Sequence, residues 1–212
     1  TTSTGEVMVL LQVVHESPEL APLLDHIKAT FPAITSLLYV INNKANDTLY
    51  DQDIILYAGR AYIVEEMEGL QFKIGAKTFY QTNSLQAYEL YKITREFARL
   101  KADDVVYDLY TGIGTIAQFI AKSVNKVVGV DVVPESIAAA KVNAAENKID
   151  NAFFEAGDMK AIFTEDFIAR HGKANVVITD PPRDGMHKDV VHQLLSLSPE
   201  RIVYVSCNSA TR

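Results

Sequence analysis

This sequence holds a single cysteine, Cys207, so no disulfide can form within it, and a reducing cytoplasm is its natural compartment. The same scarcity, with five scattered histidines, argues against structural zinc, whose sites need paired Cys or Cys/His spacings. No apolar run reaches the eighteen or so residues that a membrane helix requires, so no membrane role is expected. The opening Thr1-Thr2-Ser3-Thr4-Gly5-Glu6 has no basic stretch followed by an apolar one and does not read as a secretory signal. Repeats and low-complexity segments are absent, and nothing calls for an obligate protein partner. Positive charge is also in short supply. The net charge is −7, with 4 Lys/Arg against 10 Asp/Glu in residues 1–76 and 16 against 17 in residues 77–212. A free-standing nucleic-acid binder is expected to be basic, so charge alone speaks against RNA as a ligand.

What is present is a hydrophobic fraction of 48% over 212 residues, enough for one large core or two small ones. Two regions differ in pattern. Residues 1–76 read as a small α+β domain: a strand at 6–14, and a helix at 18–30 with Leu20, Leu23, Leu24 and Ile27 on one side. Further strands follow at 37–41, 54–57 and 62–65, divided by the turn-rich 42–47 and by Gly59. No catalytic spacing occurs there, and a structural or substrate-orienting role is expected. Residues 77–212 are more regular. Leu90, Ile93, Phe97 and Leu100 recur at helical spacing in a helix that Ser84 could cap. Strands at 105–109, 126–130, 152–155, 175–179 and 201–206 then alternate with helices at 115–122, 134–147, 160–171 and 187–197. Such alternation predicts an α/β fold with a doubly wound, Rossmann-like parallel sheet, in which ligands sit beyond the carboxyl ends of the strands.

The strand ends carry the chemistry. After the first comes Asp108-Leu109-Tyr110-Thr111-Gly112-Ile113-Gly114-Thr115, whose two glycines allow a tight turn and a close ligand approach. Asp131 ends the second strand, and an acid there can accept both hydroxyl hydrogens of a ribose. Glycine loop plus acid points to a nucleoside-containing cofactor. Gly112-x-Gly114-x-x-Ala117 also satisfies the dinucleotide fingerprint. A carboxylate at Asp108 would repel a pyrophosphate, however, and could pair with the cationic end of an amino acid, which favours S-adenosylmethionine. Asp180-Pro181-Pro182-Arg183-Asp184-Gly185 is a stiff extended turn suited to walling a base. Cys207 ends the fifth strand. It reads either as a small buried hydrophobe or as a thiolate facing the crevice and able to add to an electron-poor ring.

Taken in order, these residues resemble the RNA (uracil-5-)-methyltransferases that act on tRNA or large-subunit rRNA. Phe79-Tyr80-Gln81-Thr82-Asn83 is similar to the family's F-x-Q-x-N, and Asp108 to Gly114 to its D-L-[FY]-C-G-x-G. Val128-Gly129-Val130-Asp131 resembles V-G-V-E, Asp180-Pro181-Pro182-Arg183-x-Gly185 resembles D-P-P-R-x-G, and Val203 to Asn208 resembles V-Y-V-S-C-N. The resemblance implies a SAM-dependent methyltransferase domain over 77–212, in which Gln81, Tyr110, Gly112, Gly114, Thr115, Asp131 and Asp180 contact S-adenosylmethionine. Cys207 corresponds to the nucleophile, and Asn83 and Arg183 to substrate contacts. The implied reaction is methylation of uridine carbon 5 in rRNA or tRNA through a covalent cysteine adduct, on a flipped base. Methylation at another base position and a non-catalytic nucleotide-binding module are the competing readings.

The pattern is also broken in places. Ser209 stands where a proline usually follows S-C-N, and Thr111 and Thr115 replace common family residues. The family's general-base glutamate, its last strands, its amino-terminal RNA-binding domain and the iron–sulfur cysteines of some members are expected outside this chain. Alone, the chain is expected to be inactive, without metal, and acidic because basic elements lie elsewhere.

Overall fold

The computed structural model describes residues 1–44, 48–49 and 51–206, and every structural statement concerns those residues. Residues 45–47 of the turn-rich stretch, and Cys207 and Ser209, lie outside them. The chain divides into two compact units, Thr1–Thr78 and Phe79–Arg212.

In the first unit β1 (Val7–Val13), α1 (Leu20–Thr30) and β2 (Ile34–Ile41) form a crossover unit with the two strands parallel. Strand β3 (Ile54–Gly59) adds antiparallel to β2. Leu20 and Leu24 are buried against Leu37, with Ile27 packed alongside. Leu23 is instead 44% exposed, because at 100° per residue it sits beside the 20/24/27 line rather than on it. The strand expected at 62–65 is longer, β4 (Tyr62–Met67), and pairs with β5 (Leu70–Gly75), which the sequence reading passed over. A two-residue turn, Glu68-Gly69, joins them with positive φ at both residues, the conformation that matches strand twist in a tight hairpin. Glu65, though only 1% exposed, is satisfied by the N–H groups of Thr2 and Ser3, each donating at 2.8 Å.

The second unit opens with α2 (Ser84–Ala98), whose cap is Asn83 rather than Ser84: the Asn83 side chain accepts from the Gln86 N–H at 3.2 Å. Its buried face is Ala87, Tyr91, Thr94 and Ala98, while Leu90, Ile93 and Phe97 are 36, 49 and 63% exposed. The apolar periodicity had marked the helix correctly but not its inward face. Small residues let α2 lie close to its neighbours, so the bulky stripe is turned outward.

After α2 come β6 (Val105–Leu109), α3 (Thr115–Ala121), β7 (Lys126–Asp131), α4 (Pro134–Glu146), β8 (Ala152–Ala156), α5 (Glu165–His171), β9 (Val176–Thr179), α6 (Lys188–Leu197) and β10 (Arg201–Tyr204). Helix α5 starts later than expected, capped by Thr164, and His187 caps α6. The strands form one parallel sheet in the order β10-β9-β6-β7-β8. Parallel strands covered on both faces are apolar throughout rather than alternating. Val106, Tyr107, Leu109, Val127, Val128, Val130, Val177 and Ile178 are accordingly 0% exposed. Tyr107, Phe163 and Phe167 pack as an aromatic cluster beneath α5, the Tyr107 and Phe163 rings stacked at 5.7 Å. Each such side chain contributes about 1.5–3 kcal/mol on burial, and this sheet holds the strand ends rigidly.

Gly114 precedes α3 with φ +78°, and a Cβ there would lie 2.7 Å from the Phe154 ring and 3.1 Å from Ala140. Gly114→Ala therefore combines backbone strain with overpacking. It should lower stability by about 2 kcal/mol or more, read as a lower urea midpoint at unchanged slope.

Candidate functional site

In the sheet order the chain runs outward from β6 in both directions, to β7 and β8 on one side and to β9 and β10 on the other. Loops leaving β6 and β9 therefore diverge, and a crevice opens between them at the carboxyl ends. One wall is the β6–α3 turn. Tyr110 takes a left-handed conformation (φ +61°) and Gly112 follows at φ +55°. The Thr111 N–H donates to the Val130 carbonyl at 3.1 Å, and the Gly114 N–H donates to the Thr111 carbonyl at 2.9 Å. A Cβ on Gly112 would meet nothing within 4 Å, so this glycine borders open space. The opposite wall is the Asp180 turn, tied to β6 where the Asp180 N–H donates to the Leu109 carbonyl at 3.3 Å.

Gln81, Tyr110, Gly112, Thr115 and Asp180 meet around one pocket, together with Tyr91 and Thr111. Among the described residues, no lysine or arginine lines it. Asp131 lies immediately behind the glycine turn. Its Oδ2 accepts from the Gly112 N–H and its Oδ1 from the Val133 N–H, both at 2.9 Å. A carboxyl group so held keeps lone pairs for hydroxyl groups in front of it. Gly114 shapes the turn from beneath, as the start of α3. The two residues assigned to substrate stand apart: Asn83 is occupied as the cap of α2, and Arg183 is exposed on the proline turn.

One lining residue was not singled out by sequence: Tyr91, on the buried face of α2. Asp158, two residues beyond β8, is exposed and is not among the residues lining the pocket. It accepts from the Lys160 N–H at 2.9 Å and raises the Tyr110 phenol, behind burial and Tyr204 in effect. Asp108 is the acid that the sequence offers as a partner for the cationic end of an amino acid. It is 1% exposed, inside a strand whose neighbours are fully buried. Its Oδ2 accepts from the Thr111 hydroxyl at 2.6 Å and the Ala117 N–H at 3.0 Å, while its Oδ1 has no partner. Burial pushes its carboxyl up to about 7, with the Asp180 and Asp131 charges adding to the rise and the two hydrogen bonds opposing it. Burial likewise pushes Asp180 up to about 6. The described residues thus gather acidic groups at the site, which suits a ligand carrying positive charge and hydroxyl groups.

A wider depression of about 340 Å³ runs along edge strand β8, past Lys141, Phe153, Glu155 and His171, and includes none of these strand-end residues. Among the described residues no group of His, Cys, Asp and Glu is arranged to hold a metal ion. Nor is any helix there long and apolar enough to cross a membrane.

A doubly wound parallel sheet with a glycine turn and acids at its strand ends defines an α/β nucleoside-binding domain. The sequence model of the tRNA (uracil-5-)-methyltransferases matches residues 50–212, and the chain belongs to that family. It is 58% identical, over its full length, to 46% of an uncharacterized RNA methyltransferase of Porphyromonas gingivalis. It is 56% identical to 48% of another from Bacteroides thetaiotaomicron. The chain spans about half the length of these curated relatives. Its structure is similar to that of the Pyrococcus abyssi tRNA (uracil-54, C5)-methyltransferase in complex with S-adenosyl-L-homocysteine. That likeness has a TM-score of 0.79 at 29% identity and covers 97% of this chain and 48% of the other.

The carboxyls of Asp108 and Asp180 make a sign prediction for the ligand-free chain. Both are raised in the fold, so their contribution to stability is complete below the ordinary aspartate range and is lost as pH climbs through about 6 to 7. Melting followed by circular dichroism should show a lower Tm at pH 8 than at pH 5. Asp108→Asn should shrink that difference by several degrees, whatever its effect on the absolute Tm.

Proposed function

We propose that the chain is the S-adenosylmethionine-binding and nucleophile-bearing part of an enzyme that methylates carbon 5 of a uridine in RNA, either rRNA or tRNA. The observation that carries this is the strand-end crevice, where Asp131 backs the Gly112 turn and Asp180 faces it, in a chain of this family. S-adenosylmethionine fits what lines it. The open space at Gly112 and the carboxylate behind it suit an adenosine ribose. The unpartnered Asp108 Oδ1 and the Asp180 carboxyl suit a ligand bearing an ammonium and a sulfonium. A dinucleotide pyrophosphate is disfavoured by the same acids, which would repel its negative charge.

In this reading Gln81, Tyr110, Gly112, Gly114, Thr115, Asp131 and Asp180 hold S-adenosylmethionine, which supplies the methyl group. Cys207 is the nucleophile. The Val205 N–H donates to the Thr179 carbonyl at 2.9 Å, so the chain runs beside the residue preceding Asp180 two positions before the cysteine. Carbon 5 of uracil is a poor nucleophile on its own. Thiolate addition at carbon 6 forms a C–S bond and pushes electron density to carbon 5. Once carbon 5 is methylated, a base removes its proton and the thiolate leaves, restoring the double bond. Arg183, exposed on the rigid proline turn, and Asn83, at the head of α2, are assigned to the RNA side. The general base is assigned to a glutamate of the longer protein, so the chain by itself is expected to bind but not turn over.

Calorimetric titration of the chain should show S-adenosylhomocysteine binding and no binding of NAD; the reverse result would exclude this assignment. In the full-length protein, Cys207→Ala should lower formation of 5-methyluridine at least about 10³-fold while leaving S-adenosylhomocysteine binding unchanged. Undiminished turnover would remove Cys207 from the mechanism.

A further inference from the structure

The acids around the crevice raise a question that cofactor binding alone does not answer: why a carboxylate is buried beneath the pocket with one oxygen left without a partner. An unsatisfied buried acceptor costs about 1–3 kcal/mol, and more when charged, so it persists only where something else repays it. Asp108 lies one layer below the pocket, joined to the lining residue Thr111 through the hydroxyl hydrogen bond at 2.6 Å. The charged groups that act on it are the Asp180 carboxylate at the end of β9 and the Asp131 carboxylate at the end of β7. Its other polar neighbours are the Thr111 hydroxyl and the Ala117 N–H, and the Tyr91 phenol on α2 is influenced by Asp180 and Asp108 together. Asp108 is thus a buried carboxyl that feels the charges of Asp180 and, more weakly, Asp131, and burial beside like charge disfavours its ionised form while no positive charge is near.

We propose that Asp108 makes this site select its ligand by charge, favouring the methyl donor, with its sulfonium, over the neutral thioether left after transfer. This rests on the reading of the crevice as an S-adenosylmethionine site. The two molecules differ by one methyl group and one positive charge, and a methyl group alone gives weak discrimination. A buried carboxylate converts the charge into affinity. When the sulfonium enters, Asp108 gives up a proton to solvent and becomes the counter-ion. When the methyl has been transferred, the positive charge is gone and Asp108 takes a proton back, which removes the attraction and helps the product leave. Asp108 is a positioning residue in this scheme. It acts through the Thr111 wall and through the local potential, and no bond to it is made or broken except the proton's. Burial holds its carboxyl near neutrality, where this exchange costs least.

The test is calorimetric titration of the chain with S-adenosylmethionine and with S-adenosylhomocysteine between pH 5.5 and 7.0, below the range in which α-amino groups titrate. Each titration is repeated in two buffers of different ionisation enthalpy. The native protein should release a measurable fraction of a proton on binding S-adenosylmethionine and less on binding S-adenosylhomocysteine. Its preference for the former should rise with pH, by up to about tenfold per unit for each proton released. Asp108→Asn should flatten that rise. A preference that is flat with pH in the native protein, equal proton release for the two ligands, or an undiminished slope in Asp108→Asn would overturn the proposal. The two-buffer comparison on native protein decides even if the variant does not fold. Should neither ligand bind the native chain, the assignment of the crevice itself fails, an outcome distinct from binding without proton linkage.

Discussion

Asp108 is a buried acid near the carboxyl end of an otherwise apolar strand, and much of the second unit is arranged around the cost of keeping it there. One oxygen is satisfied twice, by the Thr111 hydroxyl and by the Ala117 N–H. The second bond caps α3: Gly114, at the cap position, has no side chain to offer, so the preceding strand supplies the acceptor. The same carboxylate therefore sets where β6 stops, how the glycine turn bends and where α3 begins. Asp131 repeats the device one strand over, holding the Gly112 N–H and the start of the β7–α4 connection.

The sheet order turns these local devices into a site. Because β7 and β9 flank β6, the ends of three adjacent strands each present an aspartate: Asp108, Asp131 and Asp180. The apolar strands beneath them are tightly packed and cannot relax to separate the charges. The outcome is a rigid, acidic crevice whose Asp108 and Asp180 carboxyls are raised chiefly by burial. Membership of a methyltransferase family and the character of the crevice point the same way, since the methyl donor of such enzymes is a cation. The acidity of the chain as a whole, which alone spoke against RNA, agrees with a part whose own task is to hold that cation.

Much of the second unit was legible in the sequence because parallel strands buried on both faces are short apolar runs with little ambiguity. Their ends are marked by Gly112-x-Gly114, Asp131 and the Asp180-Pro181-Pro182 turn. The first unit was less legible. The β4–β5 hairpin was half missed because Glu68-Gly69 is a weaker turn signal than Asn-Gly or Asp-Gly, although its backbone does the same work. On α2 the bulky Leu90, Ile93 and Phe97 revealed the period, yet Ala87 and Ala98 face inward, since close approach favours small side chains over large ones.

By itself the sequence determined the α/β class, the positions of the strand ends and the chemistry of the side chains placed there, because those follow from local periodicity and residue type. Only the tertiary structure decided which strands are neighbours, that Asn83 serves as a helix cap, and that Tyr91 belongs with the crevice residues. It alone also decided that Asp108 is buried with an oxygen unpaired. Burial and mutual charge are properties of what surrounds a residue, and those surroundings come from segments tens of residues apart, brought together by the order of the sheet.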